Sequence, residues 1–181
     1  MNASQQFVAT MRDAERMFLK SFDSHHSYAS FFTKHAVAMN KVGPLPDKAR
    51  HGKMGECYHN STHLAIDHGL IYCEGYAVSG HVPCLPLLHG WCLNPKTLEV
   101  IDPTWKDGRD YFGVAFTPSW VRKVALSTKY YGIIDNWRGG DDYRTGMLSG
   151  KIKTTLWKHP VMRKLKLQPQ PQLETETNSA L

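Results

Sequence analysis

Three residues of this chain have the types and order needed for thiol chemistry: Cys57, His89 and Asp102. A thiol is a useful nucleophile only as its thiolate, and an adjacent imidazole favours that form. A carboxylate behind the imidazole fixes its tautomer and stabilises its protonated state. Cys57 follows the tripeptide MGE at the expected start of a helix, where the partial positive charge of the helix end favours a thiolate and backbone N–H groups can hold an oxyanion. Gly55, two residues earlier, would let backbone approach closely.

His89 and Asp102 lie in LLHGWCLNPKTLEVIDPTW, Leu87 to Trp105. A turn at Asn94–Thr97 (NPKT) makes a hairpin that sets Leu93 opposite Leu98, Trp91 opposite Val100 and His89 opposite Asp102. Directly opposed residues have Cβ atoms about 4.5–5.5 Å apart, close enough for a His–Asp hydrogen bond. Alternation places all six on one face, apolar apart from that pair. Cys92 falls on the opposite face and reads as buried core, as do Cys73 and Cys84. His81, Cys84, His89 and Cys92 lack the paired spacings of zinc sites, and we expect neither metal nor cofactor.

Residues 4–22 carry Phe7, Met11, Ala14, Phe18 and Phe22 at steps of three or four and predict an amphipathic helix. A second, less regular helical pattern runs over residues 28–40. Gly and Pro break residues 41–56 into a loop. A helix from Cys57 should end at His68, with Gly69 as its cap. LIYCEGYAV, LLHGWCL and LEVIDPT read as strands. YFGVAFTPSWVRKVAL reads as a short strand and then a helix from about Thr117, with Pro118 at its first position. DNWRGGDDYRTG, residues 135–146, reads as an exposed loop. The pattern fades after His159, so residues 1–160 are expected to form one domain and 161–181 a disordered polar tail. The expected class is α+β, with N-terminal helices and the Cys57 helix packed on a small antiparallel sheet.

Composition narrows the function classes. The chain has 181 residues and a formal net charge of +6, enough length for one core. Its Lys and Arg are spread along the chain without a dense block before the end, so nucleic acid is not the favoured partner. No stretch approaches the about 18 apolar residues of a membrane span. Arg12, Asp13, Glu15 and Arg16 stand where a secretory leader would be apolar. A cytoplasmic chain with reduced cysteines is the expectation.

GECYHNSTHLA, YCEGYAVSG, HGWC and EVIDPTW, in this order, resemble the transglutaminase-like branch of the papain-like cysteine enzymes. The resemblance covers residues 55–105. It implies Cys57 as nucleophile, His89 as general base and acid, and Asp102 as the orienting carboxylate. Tyr58 stands where members of that family often carry Trp, and no acidic calcium loop is present. Small stand-alone versions occur in bacteria and their viruses. The activity implied is acyl transfer from an amide, ester or thioester of a protein or small molecule, to water or to an amine. Tyr58, Asn60, Trp91 and Trp105 are candidates for the substrate cleft, and Asn40, Lys53 and Asn60 for a second oxyanion donor. A binding module of the same fold without turnover, using a basic surface for an anionic or protein partner, is the alternative reading.

Overall fold

Burial of every residue from Ile71 to Ser79 identifies the strand β2 as the axis of the molecule. A strand covered on both faces reads as a nearly continuous apolar run, and IYCEGYAVS fits apart from Glu74. The computed structural model describes residues 1–18, 27–135 and 141–168.

The mixed α+β architecture places a five-stranded antiparallel sheet among helices, with strand order β1-β5-β2-β3-β4. The other strands are β1 (Val37–Met39), β3 (Val82–Leu93), β4 (Val100–Ile101) and β5 (Arg109–Ala115). The helices are α1 (Ala3–Phe18), α2 (Tyr28–His35), α3 (Cys57–His68), α4 (Pro118–Thr128), α5 (Asp141–Leu148), α6 (Thr154–Trp157) and α7 (Val161–Lys166). Phe7 of α1 and Phe32 of α2 meet the Tyr76 ring edge-on at 5.5 and 5.3 Å, and so anchor the N-terminal helices to β2. α3 starts at Cys57 and ends at Gly69, whose φ of 63° is the left-handed cap glycine favours. Pro118 opens α4.

Several expectations need correction. Residues 37–39 are a strand, not the end of a helix: they pair with Tyr111–Gly113 of β5, and that pairing overrides the local pattern. β3 begins at Val82, well before Leu87. Pro83 and Pro86 disguise its first half, and β4 pairs only with its far end, where Cys92 and Leu93 lie. Asp141–Leu148 is helical rather than loop; residues 136–140 of that segment lie outside the described residues. Residues 161–166 are not tail. They form α7, which buries Val161, Met162 and Leu165, so the ordered domain extends past residue 160. The expected end of the first helix, residues 19–22, and the tail from 169 also lie outside the described residues.

The hairpin register differs by two residues. Leu93 pairs with Val100 and Cys92 with Ile101. The two-residue hairpin turns need positive φ at the first central position (type II′) or at both (type I′), and Pro95 is locked near −65°. The chain instead makes a longer turn. Asn94 Oδ1 accepts from the N–H of Lys96 and Thr97, and Leu98 takes a φ of 60°. A shift of two keeps every side chain on its face, whereas a shift of one would reverse them all. His89 and Asp102 therefore stay on one face as diagonal neighbours, rather than directly opposed ones.

Candidate active site

Asp102 directly follows β4 and turns the chain back on itself. Pro103 has no N–H, so the next donors are Thr104 and Trp105. Both bond to Asp102 Oδ1, at 2.8 and 2.9 Å. The other oxygen, Oδ2, accepts from the Tyr111 hydroxyl at 2.7 Å and lies 2.8 Å from His89 Nε2. Burial alone would raise the Asp102 pKa, but the hydrogen bonds and charge of His89 and the two backbone donors outweigh it and hold the carboxyl below its ordinary value. Gly108 makes the Tyr111 contact possible, because a Cβ there would lie 2.0 Å from the Tyr111 hydroxyl. The β5 register shifts near Asp110, whose φ is 55°, a bulge just before Tyr111.

His89 is 1% exposed. Burial pushes its ring toward the neutral form. The hydrogen bond to Asp102, the nearby Cys57 thiol and the charges of both reverse that push and raise its pKa to about 9. Nε2 faces Asp102, which leaves Nδ1 for the thiol. Trp105 stacks on the ring at 3.6 Å and 6°. Its own N–H bond to Asp102 sets that indole in place. A parallel indole shields an imidazolium from water and attracts it through the ring quadrupole.

Cys57 is half-buried at the first position of α3. The first hydrogen bond of the helix runs from Asn60 N–H to the Glu56 carbonyl, and Glu56 gives no side-chain cap. The N–H groups of residues 57–59 thus have no partner inside the helix, the arrangement that suits an oxyanion. Gly90 brings this helix end against β3: a Cβ there would lie 2.8 Å from the Tyr58 ring and 3.4 Å from the Cys57 carbonyl oxygen. Ser61 then locks the packing, donating to the Gly90 carbonyl at 2.8 Å and accepting from the Cys92 thiol at 3.2 Å. Gly55 has a different role from the one expected. A Cβ there would meet nothing within 4 Å, and its φ of 83° is what calls for glycine.

Cys57, His89 and Asp102 thus come together, and Trp105 joins them. Trp91 is core: it is fully buried, with its indole N–H on Met39 Sδ at 3.4 Å. Tyr58 sits beside the thiol, and its hydroxyl donates to Asp135 at 3.0 Å. Asn60 is a brace for the preceding loop: its amide nitrogen donates to the Lys53 carbonyl and to Thr104 Oγ1, both at 3.0 Å. Lys53 pairs with Glu56 at 2.9 Å, and Asn40 Oδ1 accepts from Asn2 at 3.1 Å. None of the three proposed second donors is thereby aimed at the thiol. Among the described residues, no group of three or more His, Cys, Asp or Glu is arranged to hold a metal, and no helix is long and apolar enough to cross a membrane.

Sequence reasoning missed two residues. Tyr111 gave no local signal, because it reaches Asp102 across the fold. Glu74 did, as the one charge in a buried strand. Its carboxylate accepts from Tyr72 and from the N–H of Ile133, Ile134 and Asp135, at 2.7–3.0 Å. Burial raises its pKa and the donors on Asp135, Ile133 and Tyr72 pull it back, leaving about 7. Glu74 therefore holds the segment that carries Asp135, and Asp135 holds the Tyr58 ring. No protein-family model, curated protein or solved structure matches this chain.

Proposed function

We propose that this chain is a thiol-dependent acyl-transfer enzyme of the transglutaminase-like kind, using Cys57, His89 and Asp102. The observation that carries the reading is the buried His89 ring, bonded to Asp102, covered by Trp105 and close enough to Cys57 for the thiol to raise its pKa. A raised pKa keeps that ring protonated at neutral pH, so it can be the counter-ion of a thiolate.

The thiolate attacks the carbonyl carbon of an amide, ester or thioester and forms a C–S bond. The carbonyl π electrons move to oxygen, and the N–H groups at the start of α3 hold the resulting oxyanion. Collapse breaks the bond to the leaving group, which takes a proton from His89. Neutral His89 then takes a proton from water or an amine as that nucleophile attacks the acyl-enzyme. The second collapse returns the thiolate and leaves the imidazolium in place. The products are a carboxylic acid and the leaving group, or a new amide. The acyl donor belongs to a protein or a small molecule met in the cytoplasm.

Iodoacetamide labelling read by mass spectrometry tests the thiol. Cys73 and Cys92 are fully buried, and burial pushes both of their thiols up. Cys57 should label much faster than either near pH 7, and a His89→Ala variant should label Cys57 at least about tenfold more slowly. Equal and slow labelling of all three would favour a binding module without turnover. Incubation with cell extract should leave an acyl adduct on Cys57, or deamidated and crosslinked proteins.

A further inference from the structure

The net charge of +6 has one source. Residues 149–168 hold Lys151, Lys153, Lys158, Arg163, Lys164 and Lys166 and no acidic residue; outside this segment Lys and Arg equal Asp and Glu, sixteen of each. α7 packs on β1 and β5, at the sheet edge away from β3 and β4. Neighbouring strands lie about 4.8 Å apart, so this end is separated from the Cys57 site by most of the sheet width.

The segment also lines a cavity open to solvent. Thr154, Thr155, Lys158, His159, Arg163 and Lys166 line about 470 Å³ together with Pro160 and Met162. That volume fits a small molecule rather than a flat polyanion surface. The lining holds three cations, two hydroxyls and an imidazole. Pro160 and Met162 offer an apolar wall for an organic group.

We propose that this cavity binds a phosphoryl group carried on a small molecule. Arg and Lys present the planar fork and the point charge that phosphate oxygens bind, and the threonine hydroxyls add neutral donors. Among the described residues, no carboxylate forms a salt bridge with these cations. Lys158 donates to the His35 carbonyl at 2.7 Å, which holds its charge close to the His35 ring. Burial, and then the charges of Lys158, Lys34 and Lys166, push His35 down to about 4. Burial and the charge of Lys166 push Lys158 down to about 8. A bound dianion would relieve both. The proposal is independent of the thiol chemistry.

The test uses the full chain at low salt, with pyrophosphate and adenosine monophosphate as probes and adenosine and a short DNA duplex as controls. Isothermal titration should show saturable binding of at least one probe, weakening with added salt. The ratio of the two affinities separates an inorganic from an organic source. Arg163→Gln with Lys166→Gln removes two exposed charges and should weaken binding at least about tenfold, the cost of losing charge-assisted bonds. His35 supplies a second readout. In NMR its titration midpoint should rise from about 4 when the probe is bound. Cys57 labelling should continue with the probe present. No saturable binding, equal binding by the double variant, an unmoved His35 midpoint, or binding of DNA alone would overturn the proposal.

Discussion

Asp102 shows how one carboxylate gains several functions from its sequence context. Four donors meet it, and the order Asp-Pro-Thr-Trp supplies two of them while setting Trp105 over His89. Asp102→Asn keeps the size and the Oδ1 acceptor. Its new amide would donate to His89 Nε2, forcing the proton onto Nδ1, so the ring could no longer take a proton from the thiol. Labelling of Cys57 at pH 7 should slow by about tenfold or more, the equivalent of one pKa unit on His89. A pH series checks the same interaction through stability. The folded His89 pKa, about 9, lies above the ordinary histidine value of 6.5. The stability it supplies is complete below 6.5 and is lost as pH rises through 9. The wild-type melting temperature should therefore fall more between pH 6.5 and 9 than that of Asp102→Asn. A variant that unfolds while labelling at an unchanged rate per folded molecule would make Asp102 structural only.

At the scale of elements, the site depends on the close contact of α3 with β3. Gly90→Ala would place a methyl group 2.8 Å from the Tyr58 ring and 3.3 Å from its Cα. The ring can turn but the backbone cannot, so we expect a loss of about 1–3 kcal/mol on overpacking, read by urea unfolding. Cys57 labelling should also slow, because the helix start must move off the strand that carries His89. Glu74→Gln acts from the other side. An amide nitrogen would face at least one of the backbone donors that Glu74 now accepts from, and an unmatched buried donor costs about 1–3 kcal/mol. The folded Glu74 pKa, about 7, lies above the ordinary glutamate value of 4.5. Its contribution to stability thus declines as pH rises from 4.5 to 7. The stability gap between wild type and Glu74→Gln should accordingly narrow over that range, as followed by thermal melts at each pH.

At the scale of the molecule, the chain uses its C-terminal segment to finish the core. Val161, Met162 and Leu165 are at most 5% exposed, and burying each such side chain contributes about 1.5–3 kcal/mol. Truncation after Pro160 should therefore lower the melting temperature sharply or leave the chain unfolded, given total stabilities of about 5–15 kcal/mol. Circular dichroism of the truncated chain checks this. An unchanged melt would mean that α7 contributes little to the fold.

The sequence by itself determined the features that arise from neighbours along the chain. The start of α3 at Cys57, its cap at Gly69, Pro118 opening α4 and the shared face of His89 and Asp102 all follow from turn, cap and alternation rules. Parity protected the last of these, because a register error of two residues changes the partners and not the face. Tertiary structure decided what depends on contacts between distant segments. β1 is a strand because β5 offers it unpaired backbone groups. α7 is ordered because the core offers an apolar surface to its three buried side chains. Tyr111 serves Asp102 because a bulge in β5 and the missing side chain of Gly108 bring it there. Glu74 tolerates burial because a segment about sixty residues later supplies three N–H groups. A backbone donor or acceptor reveals nothing of its partner in the local sequence, so such pairings are legible only once the chain has folded.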